Sequence, residues 1–318
     1  MAEMSEPVGP DELDRLFARF VVGRTPERFA LAVSGGSDSI ALMVLLAEWL
    51  GVVGRPAQAF TVLTVDHRLR PQSAAEAATV ARQAAALGYA HATLVWDGDK
   101  PQTGLQAAAR TARYRLMAAY ARAHGIGLIF TGHTADDQAE TMLLNLMRGA
   151  SSTGLAAMRP GPRRPILALR RATTVRFCHA VGIKAIDDPT NRDPAFLRNR
   201  VRHELLPLMN EMAARDLVPV LTRQAGLLRD DGDLLDHMAE SIDPTDAKRL
   251  AAAPVQLARR AVRRWLTTDH PPDAATVERV LRVAGGQASG CDVGSGRRVE
   301  RSRQRLQLLG EPTGTPSR

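Results

Sequence analysis

The sequence predicts a doubly wound α/β domain with a mainly parallel sheet, followed by a smaller, mostly helical C-terminal domain. Three observations carry that prediction. Short apolar runs alternate with helical patterns through the first half of the chain. A Gly/Ser-rich loop joins the first such run to the first long apolar helix. From Asp216 onward the periodicity is helical. Strands alternating with helices build a parallel sheet with right-handed crossovers.

Taken in order, Leu13, Phe17, Phe20 and Val21 fall on one face of a leading amphipathic helix over 11–22. The predicted strands are FALAV (29–33), FTVLTVD (60–66), ATLVW (92–96) and GLIFTG (127–132). Helices are expected at about 38–50, 74–88, 104–124 and 136–148. The second of these opens with Ser73-Ala-Ala-Glu76, the pattern of a capping box. A Gly/Pro/Arg-rich loop (148–170) leads to a helix over 172–182, another loop, and a helix beginning near Phe196. Pro254 and Pro271-Pro272 interrupt the later helices, and 288–310, around Gly294 and Gly296, suits a small hairpin. The expected division is a catalytic domain over 1–215, a helical domain over 216–310 and a disordered tail over 311–318.

With 318 residues, 45% of them hydrophobic, the chain can bury a good core and build two domains. Cys178 and Cys291 are far apart and lack CxxC partners, which argues against a disulfide framework or a cysteine-ligated metal. The acidic N-terminus lacks signal-peptide character, and no run reaches the roughly 20 apolar residues of a membrane span. The expectation is a soluble cytoplasmic protein without a membrane partner. The 42 Lys+Arg against 34 Asp+Glu give a net charge of +8, which suits a polyanionic partner.

The most informative segment is Ser34-Gly35-Gly36-Ser37-Asp38-Ser39, between a predicted strand and a helix. Gly35 and Gly36 let backbone approach an anion, and the helix start offers free amides and a positive dipole end. Ser34, Ser37 and Ser39 add hydroxyl donors. Asp38 is out of place beside phosphate unless a cation lies between them, so it implies Mg2+. A second segment, Gly132-His133-Thr-Ala-Asp136-Asp137-Gln-Ala-Glu140-Thr141, ends the fourth strand, at the edge where open α/β sheets bind ligands. Asp137, Glu140 and Asn145 share roughly one face of its helix. A third runs from Asp188-Pro-Thr-Asn191-Arg-Asp193 into Arg198-Asn199-Arg200-Val-Arg202.

SGGxDS is similar to the pyrophosphate loop of ATP-pyrophosphatase enzymes. Among these, the cysteine count argues against thiolating and glutamine-using members. The ordered set over about 29–207 resembles the tRNA(Ile)-lysidine synthase family. It comprises the loop, Asp66-His67-Arg68-Leu69-Arg70, Ala109-Arg110-Thr-Ala-Arg113-Tyr114, GHxxDDQxET, Arg148-Gly149 leading to Gly154-Leu155, and the Asn191 to Arg202 segment. The chain departs from the family pattern at Arg68, Gln106 and Thr190, where Gly, Glu and Ser are usual.

The resemblance implies that O2 of cytidine 34 in a CAU anticodon attacks the α-phosphate of ATP. The ε-amine of free L-lysine then displaces AMP. It implies ATP binding by Ser34, Gly35, Gly36, Ser37, Asp38, Ser39, Asp66, His67 and Gly132, with Asp38 and Asp137 sharing Mg2+. Arg113 would face the α-phosphate. Asp137 and Glu140 are the expected acceptors of the lysine proton, with His133 behind them. Asp188, Asn191, Arg198, Asn199 and Arg202 would shape the base and lysine pocket. Arg148, Arg259, Arg263, Arg298 and Arg301 would meet tRNA(Ile), and the helical half could form a homodimer. Two other readings stay open: another PP-loop base-modifying enzyme or amide ligase, and a non-catalytic nucleotide-binding module.

Overall fold

The computed structural model describes residues 8–21, 28–186, 188–268 and 270–310; the expected tail, 311–318, lies outside them. Two compact units divide at Ala225/Gly226, inside a helix, whereas the sequence puts the change of pattern at Asp216.

The first unit holds α1 (Pro10–Val21), β1 (Arg28–Ala32), α2 (Ser37–Val52), β2 (Phe60–Asp66), α3 (Ser73–Ala86), β3 (Ala90–Val95), α4 (Leu105–Ala123), β4 (Ile126–Thr131), α5 (Ala135–Met147), α6 (Ser152–Leu155), α7 (Arg171–Ala180), α8 (Leu197–Arg200) and α9 (Leu206–Met212). A π-helical turn, Val201–Leu205, joins α8 to α9. The four strands pair in parallel in the order β3-β2-β1-β4. The chain therefore winds outward from β1 through β2 to β3, then returns to the other side of β1. The reversal opens a crevice at the C-terminal ends of β1 and β4, the usual ligand position in such sheets.

α2 is apolar nearly all round, with Ile40 through Leu46, Trp49 and Leu50 buried. Such a helix has no solvent face to offer. It shares one core with Leu13, Phe17 and Phe20 of α1, Phe177 and Cys178 of α7, and Phe29 and Phe60 of the sheet. Met117 of α4 packs on the opposite face against Ala30, Leu63 and Ile126. The capping box expected at Ser73 and Glu76 does not form. Gln72 is the N-cap and supplies no side-chain bond, and Glu76 instead accepts a bond from Arg70 at 2.9 Å.

α10 (Val218–Ala239) runs into the second unit, which adds α11 (Ala247–Ala252), α12 (Val255–Leu266), α13 (Ala274–Ala284), β5 (Gly290–Gly294), β6 (Arg297–Ser302) and β7 (Arg305–Leu309). The C-terminal segment is a three-stranded antiparallel sheet, β5-β6-β7, where a hairpin was expected. Val293, Val299 and Leu306 bury its inner face against α11, α12 and α13. Among the described residues, no helix is long and apolar enough to cross a membrane.

Candidate nucleotide-binding site at the sheet crevice

The loop after β1 is built to leave backbone donors open. Gly36 is the N-cap of α2 and no side chain caps the helix, so the amides of its first turn face whatever enters. Ser39 donates its hydroxyl to Gly36 O at 2.9 Å and accepts the Ser34 amide at 3.2 Å, which fixes the loop from inside. Gly35 has φ +92°, in the left-handed region that favours glycine. Gly132, after β4, is required for a different reason. A Cβ there would lie 2.7 Å from Asp38 O and 2.9 Å from Ser39 Cα. Its missing side chain lets the end of β4 pack against the first turn of α2.

Around this loop the structure assembles three carboxylates and three guanidiniums. Arg171, the first residue of α7, donates from Nε to Asp38 Oδ2 at 3.0 Å, from Nη2 to Asp137 Oδ1 at 2.9 Å and from Nη1 to Glu140 Oε1 at 2.9 Å. Arg198 reaches Asp137 Oδ1 at 2.9 Å and Glu140 Oε2 at 2.8 Å. Arg202 clasps Glu140 with two bonds, of 2.7 and 3.1 Å. Asp136 holds the start of α7 in place by accepting from Arg170 Nε at 3.1 Å and from the Arg171 amide at 2.8 Å.

The electrostatics follow from this packing. Burial alone raises the Glu140 carboxyl, but the Arg202 hydrogen bond and the charges of Arg171, Arg202 and Arg198 outweigh it and hold it down to about 2. Glu140 is 1% exposed and both its oxygens are fully used. Asp38 is shifted upward by burial, with Asp137 adding to it and Arg171 and Thr174 opposing. Asp137 accepts the Thr134 amide at 2.9 Å and its hydroxyl at 3.1 Å on Oδ2, closing the start of α5.

His133 is pushed down to about 4, chiefly by burial, so it is neutral at pH 7. The Thr131 hydroxyl donates to Arg163 O at 2.9 Å and lies 2.8 Å from His133 Nδ1. With that hydroxyl proton committed, Nδ1–H is the donor and Nε2 keeps its lone pair. His67 is likewise pushed down to about 4 by burial and by Arg113. Its Nε2 lies 3.4 Å from Arg113 Nη2, and its buried Nδ1 has no partner.

Of the residues singled out in the sequence, the structure brings together the loop, Gly132, Asp38, Asp137, Glu140, Arg198 and Arg202. Asp66 instead receives the Arg68 amide at 2.8 Å and shapes the turn after β2, where Arg68 adopts φ +50°. With Arg68, Leu69 and Arg70 it lines a cavity of about 410 Å3. Asp188 caps its own turn through Thr190 and pairs with Arg70 at 3.0 Å. Asn199 donates to the carbonyls of Thr190 and Asp193 at 2.7 and 2.9 Å, which makes it a loop scaffold. The Asn191 carbonyl lies 3.1 Å from His203 Nε2. Asn145 turns away from the carboxylates to Gly154 O at 2.8 Å. The cation that joins Asp38 to Asp137 is the Arg171 guanidinium. Among the described residues, no cluster of three or more His, Cys, Asp or Glu side chains is arranged to hold a metal.

In the second unit, Arg259 pairs with Glu278 at 2.6 Å and Arg298 with Glu300 at 2.9 Å. Arg301 donates to Ala284 O at 2.8 Å and to Arg303 O at 3.0 Å, closing the end of α13. Arg297 is buried and donates to Leu266 O at 3.2 Å. Arg148, in the first unit, and Arg263 are exposed.

The parallel sheet with an anion loop at its switch point is of a nucleotide-binding α/β class, and residues 10–209 match the family described as PP-loop domain. Residues 246–307 match the TilS substrate binding domain. The chain belongs to the tRNA(Ile)-lysidine synthase family. It is 41% identical over 273 residues to the tRNA(Ile)-lysidine synthase of Mycolicibacterium paratuberculosis, covering 81% of each chain. It is 42% identical to that of Methylobacterium sp., covering 82% of this chain and 75% of the relative. Its match to the Bradyrhizobium sp. enzyme, 46% identical, spans 67% of this chain but 59% of the relative's length. Among solved structures, a U34-tRNA thiolase of Methanococcus maripaludis superposes with a TM-score of 0.55 at 12% identity, over 69% of this chain and 79% of that one. That is a likeness of fold.

Proposed function

We propose that this chain adenylates O2 of cytidine 34 in the CAU anticodon of tRNA(Ile) with ATP, then joins the ε-amine of L-lysine at C2, releasing AMP and pyrophosphate. The observation that carries the reading is the contact between the anion loop and the carboxylate–guanidinium cluster through Arg171. One side suits a triphosphate and the other a polar nucleophile. The names of the relatives, tRNA(Ile)-lysidine synthase, support the particular reaction.

In this reading the first-turn amides of α2 and the hydroxyls of Ser34 and Ser37 hold the pyrophosphate as it leaves, while Ser39 braces the loop from inside. Asp38, each of whose oxygens takes a single side-chain donor, would hold Mg2+. Such an ion would supply positive charge beside the leaving group. Asp137 is less suited to Mg2+ because both its oxygens already take two donors. Arg113, half-buried beside His67, faces the adenylate.

The lysine amine must attack unprotonated, which costs about 4.6 kcal/mol at pH 7 from a pKa near 10.4. Asp38, Asp137 and Glu140 are balanced by Arg171, Arg198 and Arg202. A cluster of zero net charge favours the neutral amine over the ammonium. His133 Nε2 supplies an acceptor for an amine hydrogen, while Glu140 serves to orient Arg198 and Arg202. Asp188, Asn191 and Asn199 frame the pocket through their loop. The exposed arginines of the second unit and Arg148 meet the tRNA backbone, the protein works in the cytoplasm, and the helical half supports a homodimer.

The test incubates the protein with ATP, Mg2+, radiolabelled lysine and a tRNA(Ile) transcript bearing CAU. ATP-dependent label in RNA, lost when cytidine 34 is changed, is the expected result. AMP release that depends on tRNA without label would redirect the search to another nucleophile. Neither signal would sink the reading.

A further inference from the structure

The Arg110-Thr-Ala-Arg113-Tyr114 segment of α4 contains a pair that the reaction above leaves unused. Arg110 and Tyr114 stand one helical turn apart, and the Arg110 guanidinium lies over the Tyr114 ring at 4.9 Å from its centre. Packing does not call for either side chain. The buried positions of α4 are Ala109, Ala112 and Met117, whereas Tyr114 is 44% exposed. The chain has only 13 aromatic Phe, Trp and Tyr residues. Among the described residues, the other large apolar side chains left this exposed are aliphatic.

The position is as telling as the exposure. Arg113, the neighbour of Tyr114, reaches His67 at the mouth of the crevice. The charge of Arg110 acts on His133 at the end of β4. Arg110 and Arg113 thus flank one exposed ring on the side of α4 that approaches His67 and His133. Nucleobases stack on aromatic rings and guanidinium planes, and neighbouring cations take their phosphates.

We propose that Arg110 and Tyr114 form a stacking platform for the nucleobase adjacent to the cytidine being modified. The inference rests on the RNA-substrate reading above. Drawing one base out of an anticodon loop breaks its stack with the next, and an aromatic partner at the rim replaces that lost contact. The ring is held in its plane by Arg110 before the RNA arrives, so little freedom is lost on binding.

The experiment uses the full chain and an anticodon stem-loop RNA whose CAU adenine is replaced by 2-aminopurine. Binding is followed by anisotropy of a dye on the stem, and stacking by 2-aminopurine fluorescence. Wild-type protein is expected to quench the fluorescence. Tyr114→Ala is expected to abolish the quench and weaken RNA binding about tenfold, the scale of one base–aromatic stack. Tyr114→Phe is expected to retain both, and the KM for ATP to stay unchanged in each variant. An equal quench and affinity for wild type and Tyr114→Ala overturns the platform while leaving the RNA reading intact. A rise in the KM for ATP alone assigns the ring to the adenine of ATP and also overturns it. Failure of wild type to bind the RNA overturns both readings together.

Discussion

Arg171 Nε stands 3.0 Å from Asp38 Oδ2, which ties the anion loop after β1 to the carboxylates of α5 through one side chain on α7. Removing that side chain separates a charge effect from a shape effect. Arg171→Met leaves Asp38, Asp137 and Glu140 with one partner fewer, in a place where Arg171 is 21% and Glu140 1% exposed. Breaking a largely buried pair from one side costs about 3 kcal/mol at the low end, fitting here because Arg198 and Arg202 remain. The melting temperature should fall by roughly 10 °C, and lysine transfer by more than about 100-fold, from disordered positioning of Asp38. Arg171→Lys keeps the charge but cannot reach three carboxylates, so it should recover stability better than turnover. Unchanged melting and turnover in Arg171→Met would show that the bridge has no role.

Two glycines of the site separate contact with the protein from contact with the ligand. At Gly132 an added Cβ meets the Asp38 and Ser39 backbone at 2.7 to 2.9 Å, and backbone cannot swing aside. Gly132→Ala should destabilise by about 1–3 kcal/mol, as overpacking does, and reduce both binding and turnover. At Gly36 the nearest atom to a Cβ is Ser34 Oγ at 3.9 Å. Gly36→Ala should therefore melt near wild type while raising the KM for ATP, because the methyl stands where phosphate approaches. Equal melting curves for the two variants would refute the distinction.

Acid stability has a sign set by half-buried histidines, of which His67 and His133 are displaced furthest and His91 less. His67 and His133 are pushed down to about 4 in the folded chain, against about 6.5 when unfolded. Below pH 6.5 the unfolded chain takes up protons that the folded one refuses. Stability present above 6.5 is thus lost as pH falls toward 4. Glu140 acts with the same sign in a lower range: its contribution is present above its ordinary value and lost only as pH falls toward about 2. Between pH 6.5 and 5 the decline should therefore report the histidines. His133→Asn should lose less melting temperature between pH 7.5 and 5 than wild type does. Parallel declines would show that burial of His133 carries no proton linkage.

Much of the first unit was legible because its punctuation is local. β2 (Phe60–Asp66) matches its apolar run, and α5 begins at Ala135, one residue from the expected start, since glycines and short polar loops bound each run. The anion loop was readable for the same reason: Gly35, Gly36 and three serines lie within six residues. Arg171 was not, because its partners lie 133, 34 and 31 residues away. One signal was available. Arg170 and Arg171 begin a helix, where the dipole disfavours cations, and a broken local rule often marks a site. Glu76 shows the reverse, a correct local pattern overridden by Arg70. Within the run of arginines that ends the second unit, Arg297 is internal whereas Arg298 is exposed.

The arginines of the second unit divide accordingly, and the division can be measured by salt. Arg263 is exposed, with no ion pair among the described residues, whereas Arg301 is engaged with Ala284 O and Arg303 O. A free arginine that meets a phosphate releases a counterion, and its loss lowers the slope of log affinity against log salt by about one. Arg263→Gln should weaken tRNA binding, reduce that slope by about one, and leave the melting temperature unchanged. Arg301→Gln removes donors from the end of α13, so it should lower the melting temperature. It should leave the salt slope near wild type, since that guanidinium is already spent within the fold. If the Arg301 variant changes the slope and the Arg263 variant does not, the RNA-facing side of this unit is the β-sheet end rather than α12.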